Sequence, residues 1–187
     1  MLKRAVDILG SAAGLILLSP VLAALALAVR LESPGPALHW SRRVGRANAV
    51  FAMPKFRTMR TGAPDVATHL LDDPAQWLTP LGRLLRRTSL DEFPQLWSVL
   101  TGAMSLVGPR PALHNQDDLV ALRTASGVHA LRPGLTGWAQ INGRDELPIA
   151  EKARLDEEYL QSRSTWLDLY ILAATVILAV TGRDVTH

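Results

Sequence analysis

A chain of 187 residues can enclose one hydrophobic core and is short for two full-sized domains. An apolar share of 48% beside only 20% charged residues argues against disorder and against a freely soluble enzyme, so lipid contact is expected. The formal charge of +3 is too small to envelop the protein in one field, and the absence of cysteine excludes disulfides, thiol nucleophiles and cysteine metal sites.

From Ile8 to Val29 the chain carries no charged residue. As a helix rising about 1.5 Å per residue this segment would be about 33 Å long, enough to cross a bilayer. A cleaved leader has a shorter apolar core, of about 7 to 15 residues, and Asp7 sits at the start of this one. A spanning helix and a re-entrant hairpin both remain. Lys3 and Arg4 precede the segment and Arg30, Arg42, Arg43 and Arg46 follow it, so neither end favours export. Ser19-Pro20 in the middle supplies a break: Pro20 has no amide hydrogen for the carbonyl of Ile16, and Ser19 can help satisfy the freed group.

Ser-Pro-Gly-Pro at 33–36 predicts a turn that ends the segment. Short strands are expected over 37–40 and 49–56 as a small hairpin, with Pro54 making the second an edge or irregular strand. The stretch 63–80 reads as loop with one short helix. Helical spacing returns over 81–85 and 92–100, with Pro94 tolerable in a first turn, so Asp91 is expected near a helix N-terminus whose dipole helps keep it ionised. Residues 106–111 and 132–143, rich in Pro and Gly, read as shaped loops without regular structure. Helices are expected over 116–125 and 149–163, the latter placing Leu155 and Tyr159 one turn apart. The apolar stretch 166–180 is too short to span and suits the membrane interface, where Trp166 and Tyr170 are at home.

Among groups able to do chemistry, the adjacent carboxylates Asp91 and Glu92 stand out, preceded by Arg86 and Arg87. A carboxylate can attack phosphorus to form an acyl phosphate, and its neighbour can handle protons or hold magnesium. An acidic dipeptide opening a helix is also a common cap. Lys55 and Arg57 share a face of the second strand and could hold phosphates, as could the clusters Arg42, Arg43, Arg46 and Arg83, Arg86, Arg87; solvated surface explains them about as well. Arg110, between two prolines, would present its guanidinium with little freedom to lose. The histidines at 39, 69, 114, 129 and 187 show no metal-ligand spacing, and no P-loop, dinucleotide or hydrolase motif occurs.

Taken in order, Lys3-Arg4 with Asp7 ahead of the Ser-Pro helix, Lys-Phe-Arg-Thr-Met at 55–59, Thr-Ser-Leu-Asp-Glu-Phe-Pro-Gln-Leu at 88–96, Met-Ser-Leu-Val-Gly-Pro-Arg-Pro at 104–111, Arg-Pro-Gly-Leu-Thr-Gly-Trp-Ala-Gln-Ile-Asn-Gly-Arg at 132–144, and Asp156 ahead of Tyr159 form one series. It resembles the bacterial sugar transferases that start polyprenol-linked glycan assembly, the small monotopic phosphoglycosyl transferases, over nearly the whole chain. The resemblance implies a mainly α fold with a small β-hairpin: a re-entrant helix-break-helix over 1–32, and a catalytic domain over 33–187 with interfacial amphipathic helices, including one at 166–181.

It further implies that Asp91 attacks the β-phosphorus of a UDP-sugar with UMP leaving, and that undecaprenyl phosphate then takes the phosphosugar from the carboxylate. Glu92 would partner the nucleophile, as proton acceptor for the incoming phosphate, and Mg2+ near Asp91 would neutralise the diphosphate. Lys55, Arg86, Arg110 and Asp156 match positions around the substrate. The domain would lie on the cytoplasmic face of the inner membrane among its lipids, with a homodimer left open. Two departures occur, Ser98 where relatives often have Asn and Ala103 where many have Asp. The rival readings are a lipid pyrophosphate hydrolase or single-displacement transferase with Asp91 only binding metal, and a membrane-anchored adaptor; nucleic-acid binding loses support from the modest charge.

Overall fold

The computed structural model describes residues 2–63, 73–143 and 147–181. Half of the expected loop over 63–80, namely 64–72, together with Arg144 of the later signature and His187, lies outside the described residues, and His69 falls within that half.

The N-terminal segment is one helix, α1 (Leu2–Glu32), long and apolar enough to cross a membrane by length and composition. Pro20 lies inside it without interrupting it. Ser19 Oγ donates to the carbonyl of Ile16 at 2.8 Å, so the acceptor that Pro20 cannot serve is satisfied by the preceding hydroxyl. Both ends of α1 are fastened to the rest of the chain. At its start, Lys3 Nζ donates to the Val107 carbonyl at 2.9 Å and pairs with Asp168 at 2.7 Å, Arg4 caps the carbonyls of Val99 and Leu100, and buried Asp7 accepts from Ser105 Oγ and the Leu106 amide, each at 2.9 Å. At its end, Arg57 donates to the carbonyls of Val29, Ser33 and Pro34. Between these anchors Ile16, Leu17 and Val21 are exposed.

The hairpin expected after α1 is present as β1 (Leu38–Val44) and β2 (Val50–Phe56), antiparallel, with Trp40 opposite Pro54. Among the described residues β2 pairs only with β1, so the amide hydrogen that Pro54 lacks is missed by no second described strand. After α2 (Pro74–Trp77) comes α3 (Pro80–Arg87), whose N-cap Thr79 accepts from the Gly82 amide with Pro80 in the first turn. The helix expected over 92–100 divides instead into a 3-10 turn, Leu90–Gln95, and α4 (Leu96–Thr101). Ser89, in the left-handed region at φ 56°, starts the turn, and Pro94 lies inside it.

The two stretches expected to lack regular structure pair with each other. β3 (Ser105–Val107) and β4 (Gly134–Thr136) form a parallel two-stranded sheet, and α6 (Trp138–Ile141) follows. Glycine permits the approach: a Cβ on Gly134 would stand 2.1 Å from the Gly108 amide nitrogen, and one on Gly137 2.1 Å from the Gly108 carbonyl oxygen. α5 (Asp117–Ala125), α7 (Ile149–Ser162) and α8 (Thr165–Thr181) lie close to expectation, with Leu155 and Tyr159 buried on one face of α7. The fold is therefore mainly α with a small antiparallel hairpin.

The core consists of several linked clusters. Val29, Phe56 and Leu85 join α1 to β2 and α3; Met53, Val99 and Met104 lie under the hairpin; Val107, Tyr159 and Ile171 join β3 to α7 and α8. α8 buries Ile171 and exposes Trp166, Leu169, Tyr170, Val176 and Ile177, a helix with one face on the protein and an apolar face uncovered.

Candidate active site

Five sequence-selected residues, Lys55, Arg86, Asp91, Glu92 and Arg110, converge where the 3-10 turn packs on β2. Lys55, one residue from the end of β2, donates from Nζ to Glu92 Oε1 at 3.0 Å. Arg110, in the Pro-Arg-Pro segment after β3, holds the same carboxylate with Nη2 at 2.8 Å from Oε1 and Nη1 at 3.2 Å from Oε2. Burial alone would push the Glu92 carboxyl up, but the Arg110 and Lys55 charges outweigh it and hold it well below the usual carboxylate range.

Asp91 is driven the other way. It is 7% exposed, and its carboxyl accepts no hydrogen bond from the described residues. Burial, followed by the like charge of Glu92, raises it to about 6, with Lys55, Arg86 and Arg110 pulling back. The sequence predicts a helix dipole that helps keep it ionised; here burial outweighs any such help. A six-residue 3-10 turn aligns few peptide dipoles, and desolvation is the larger effect. Arg86 hydrogen-bonds Thr58 Oγ1 through Nε at 2.9 Å, and the fields of Asp91 and Glu92 both reach its guanidinium.

Other candidates fall elsewhere. Asp156 is 1% exposed on α7 and accepts from Arg123 Nε at 2.9 Å and Nη2 at 2.6 Å, so a structural cation already occupies it. Arg57 shares the strand face of Lys55 but is spent on the end of α1. Of the first basic cluster, Arg43 donates to the Pro111 carbonyl and Arg46 to that of Ala130, which makes both braces of backbone. Arg123 was missed by motif reasoning, although a sequence signal exists: it stands four residues after Leu119 on the buried face of α5, where an unpaired charge would be costly.

The family model described as "Bacterial sugar transferase" matches residues 1–182. This chain belongs to the bacterial sugar transferase family. It is 43% identical over 185 residues to the UDP-glucose:undecaprenyl-phosphate glucose-1-phosphate transferase of Escherichia coli (strain K12), a match covering 94% of this chain and 39% of that protein. The protein of the same name from Caulobacter vibrioides is 43% identical, with 93% of this chain and 68% of that one covered. The exopolysaccharide production protein PSS of Rhizobium leguminosarum bv. phaseoli is 38% identical, with 97% and 96% covered. This sugar transferase thus spans about two fifths of the Escherichia coli relative and nearly all of the Rhizobium one. The carboxylate pair with its three cations lies inside the matched region.

Proposed function

We propose that this sugar transferase moves a sugar 1-phosphate from a UDP-sugar to undecaprenyl phosphate through a covalent phosphosugar on Asp91, as the first membrane step of glycan assembly. One observation carries the reading: a buried carboxylate that takes no hydrogen bond from the described residues stands beside a second carboxylate on which two cations are gathered. With no donor among the described residues bound to it, Asp91 keeps its lone pairs for phosphorus. Lys55 and Arg110, held by Glu92 before substrate arrives, are already placed for the oxygens of a diphosphate. The names of the relatives in Escherichia coli and Caulobacter vibrioides supply the donor and acceptor classes.

In the first half-reaction an Asp91 oxygen bonds to the β-phosphorus while the bond from that phosphorus to the bridging oxygen breaks, and the oxygen leaves with UMP. In the second, an oxygen of undecaprenyl phosphate bonds to the same phosphorus and the Asp91 carboxylate departs with the electron pair it brought. Glu92 becomes a proton acceptor only once the diphosphate has drawn Lys55 and Arg110 away from it. Among the described residues no three His, Asp or Glu side chains form a cage for a metal. Magnesium typically needs only one or two carboxylates plus substrate phosphates, so Asp91 fits an ion that arrives with the diphosphate and neutralises its charge.

The same structure supports a membrane arrangement for this reading. Both ends of α1 are fastened to one body while its middle exposes Ile16, Leu17 and Val21, as a re-entrant helix in the inner membrane with the catalytic residues on the cytoplasmic face would require. Undecaprenyl phosphate then meets the site at the head-group plane, with α8 in the interface. The natural chain has no cysteine, so single-cysteine variants at Leu2 and Ser33 can be labelled in sealed vesicles. Reagent reaching both from the cytoplasmic side supports this topology; opposite sidedness refutes it.

The decisive experiment incubates the enzyme with a panel of labelled UDP-sugars, with and without undecaprenyl phosphate, and follows UMP release and label on protein. A labelled Asp91 peptide without acceptor, chased off by acceptor, is expected. Turnover with no label on intact protein would remove the covalent step and favour single displacement.

A further inference from the structure

The backbone around Arg110 is held unusually closely. Four successive carbonyls are each taken by a donor from elsewhere: Pro109 by the Gly134 amide at 2.9 Å, Arg110 by Arg123 Nη1 at 2.8 Å, Pro111 by Arg43 at 3.3 Å and Ala112 by the Val44 amide at 2.9 Å. Of the two side-chain donors, Arg43 is half-buried and Arg123 is buried. Arg123, 9% exposed on α5, puts Nε and Nη2 on one oxygen of Asp156 from α7, which fixes the plane of the guanidinium and leaves Nη1 aimed at the Arg110 carbonyl. Proline on either side of Arg110 restricts the neighbouring backbone, so fixing this carbonyl narrows what remains of the arginine's own freedom.

We propose that Arg123, locked by Asp156, is a positioning residue that aims Arg110 at the Glu92 carboxylate and at the diphosphate that succeeds it. Asp156 thereby serves the site from a distance, through two hydrogen-bonded links, and touches no substrate. The planar fork is essential to this task. A lysine at 123 keeps the charge but has a single nitrogen, which cannot hold one Asp156 oxygen twice while reaching a carbonyl on its other side. The proposal rests on the transferase reading for its kinetic test and on geometry alone for its chemical one.

Arg123→Ala would leave Asp156 buried without its partner and endanger folding, so the informative variants are Arg123→Lys and Asp156→Asn. For each, kcat/KM for the UDP-sugar is expected to fall about tenfold, less than the roughly 100-fold that a 1 Å misplacement can cost. In an Arg110→Ala background the same changes are expected to cost less than about twofold more, because the group they aim is gone. Multiplying losses would show that Arg123 acts by another route and would overturn the proposal.

The chemical test is the rate at which phenylglyoxal modifies Arg110, read by peptide mass spectrometry well below each variant's melting transition. Arg123→Lys should raise that rate severalfold while leaving Arg46 unchanged; an Arg110 rate equal to wild type overturns the proposal whether or not the protein turns over. If the wild type releases no UMP from any UDP-sugar, the transferase reading fails, and the labelling rate still decides the positioning role.

Discussion

Asp91→Asn should make the protein more stable while abolishing turnover. In the folded state the Asp91 carboxyl binds its proton up to about pH 6, against an ordinary value of 3.8. A folded-state value above the unfolded one means that folding favours the protonated form. The two states are equally protonated well below 3.8, and stability is lost as pH climbs from 3.8 through 6. At roughly 1.4 kcal/mol for each pH interval of one, the gap of about 2.2 amounts to at most about 3 kcal/mol at pH 7.5. Asparagine has nearly the same shape and no charge to desolvate, and Asp91 accepts no hydrogen bond from the described residues that the change would break. For a chain of this length about 1 kcal/mol moves Tm by roughly 2 to 4 °C, so a rise of several degrees is expected at pH 7.5. Tryptophan fluorescence melts in detergent with EDTA would read it, since bound magnesium would stabilise only the wild type. Near pH 4 the advantage should shrink toward zero. A variant no more stable at pH 7.5, or a gain that does not shrink in acid, would refute the assignment of Asp91 as a carboxylate held against its desolvation.

Three more outcomes follow from the same geometry. The kcat/KM of the free enzyme should drop tenfold per pH unit below about 6, as the nucleophile becomes protonated; a flat profile from 7 to 5 would exclude Asp91 as the titrating nucleophile. Lys55→Met removes one of the two cations on Glu92 and a charge that lowers Asp91, so the acid limb should move above 6 and the donor KM should rise, both visible in a steady-state pH series. Asp7→Ala strands the Ser105 hydroxyl and the Leu106 amide, costing about 1 to 3 kcal/mol, and a lowered Tm with faster proteolysis near the start of α1 would register it.

Much of this architecture is written locally. Apolar spacing marks α5, α7 and α8 within about a residue, and the short strands read over 37–40 and 49–56 mark the hairpin, although β1 runs four residues further, to Val44. The β3–β4 pair escapes local reading. Its three-residue strands are specified by glycines that let two distant backbones meet, and Pro and Gly in isolation signal irregular chain. The 3-10 geometry at Leu90–Gln95 escapes for a related reason, since Ser89 adopts a left-handed conformation that serine seldom takes. At the site, motif order selects Lys55, Arg86, Asp91, Glu92 and Arg110 together, which the fold brings within one another's fields. It cannot separate Asp156 from them, because a residue that holds the site's scaffold and one that holds a substrate leave the same mark in a sequence.

The opposite fates of two adjacent carboxylates supply the last prediction. Glu92 is kept ionised by two cations and so screens Lys55 and Arg110 from Asp91 while adding its own negative charge beside it. Glu92→Gln removes that charge and releases both cations toward Asp91. Both changes favour the Asp91 anion, so its titration should move below about 6, opposite to the shift from Lys55→Met. In single-turnover labelling from a UDP-sugar without acceptor, this variant should therefore still form the Asp91 adduct, with its acid limb displaced downward, and fail to pass the phosphosugar to undecaprenyl phosphate. A limb displaced upward would mean that Glu92 lowers Asp91 instead of raising it. Full transfer in the variant would mean that Asp91 alone completes the cycle and that Glu92 only gathers the cations.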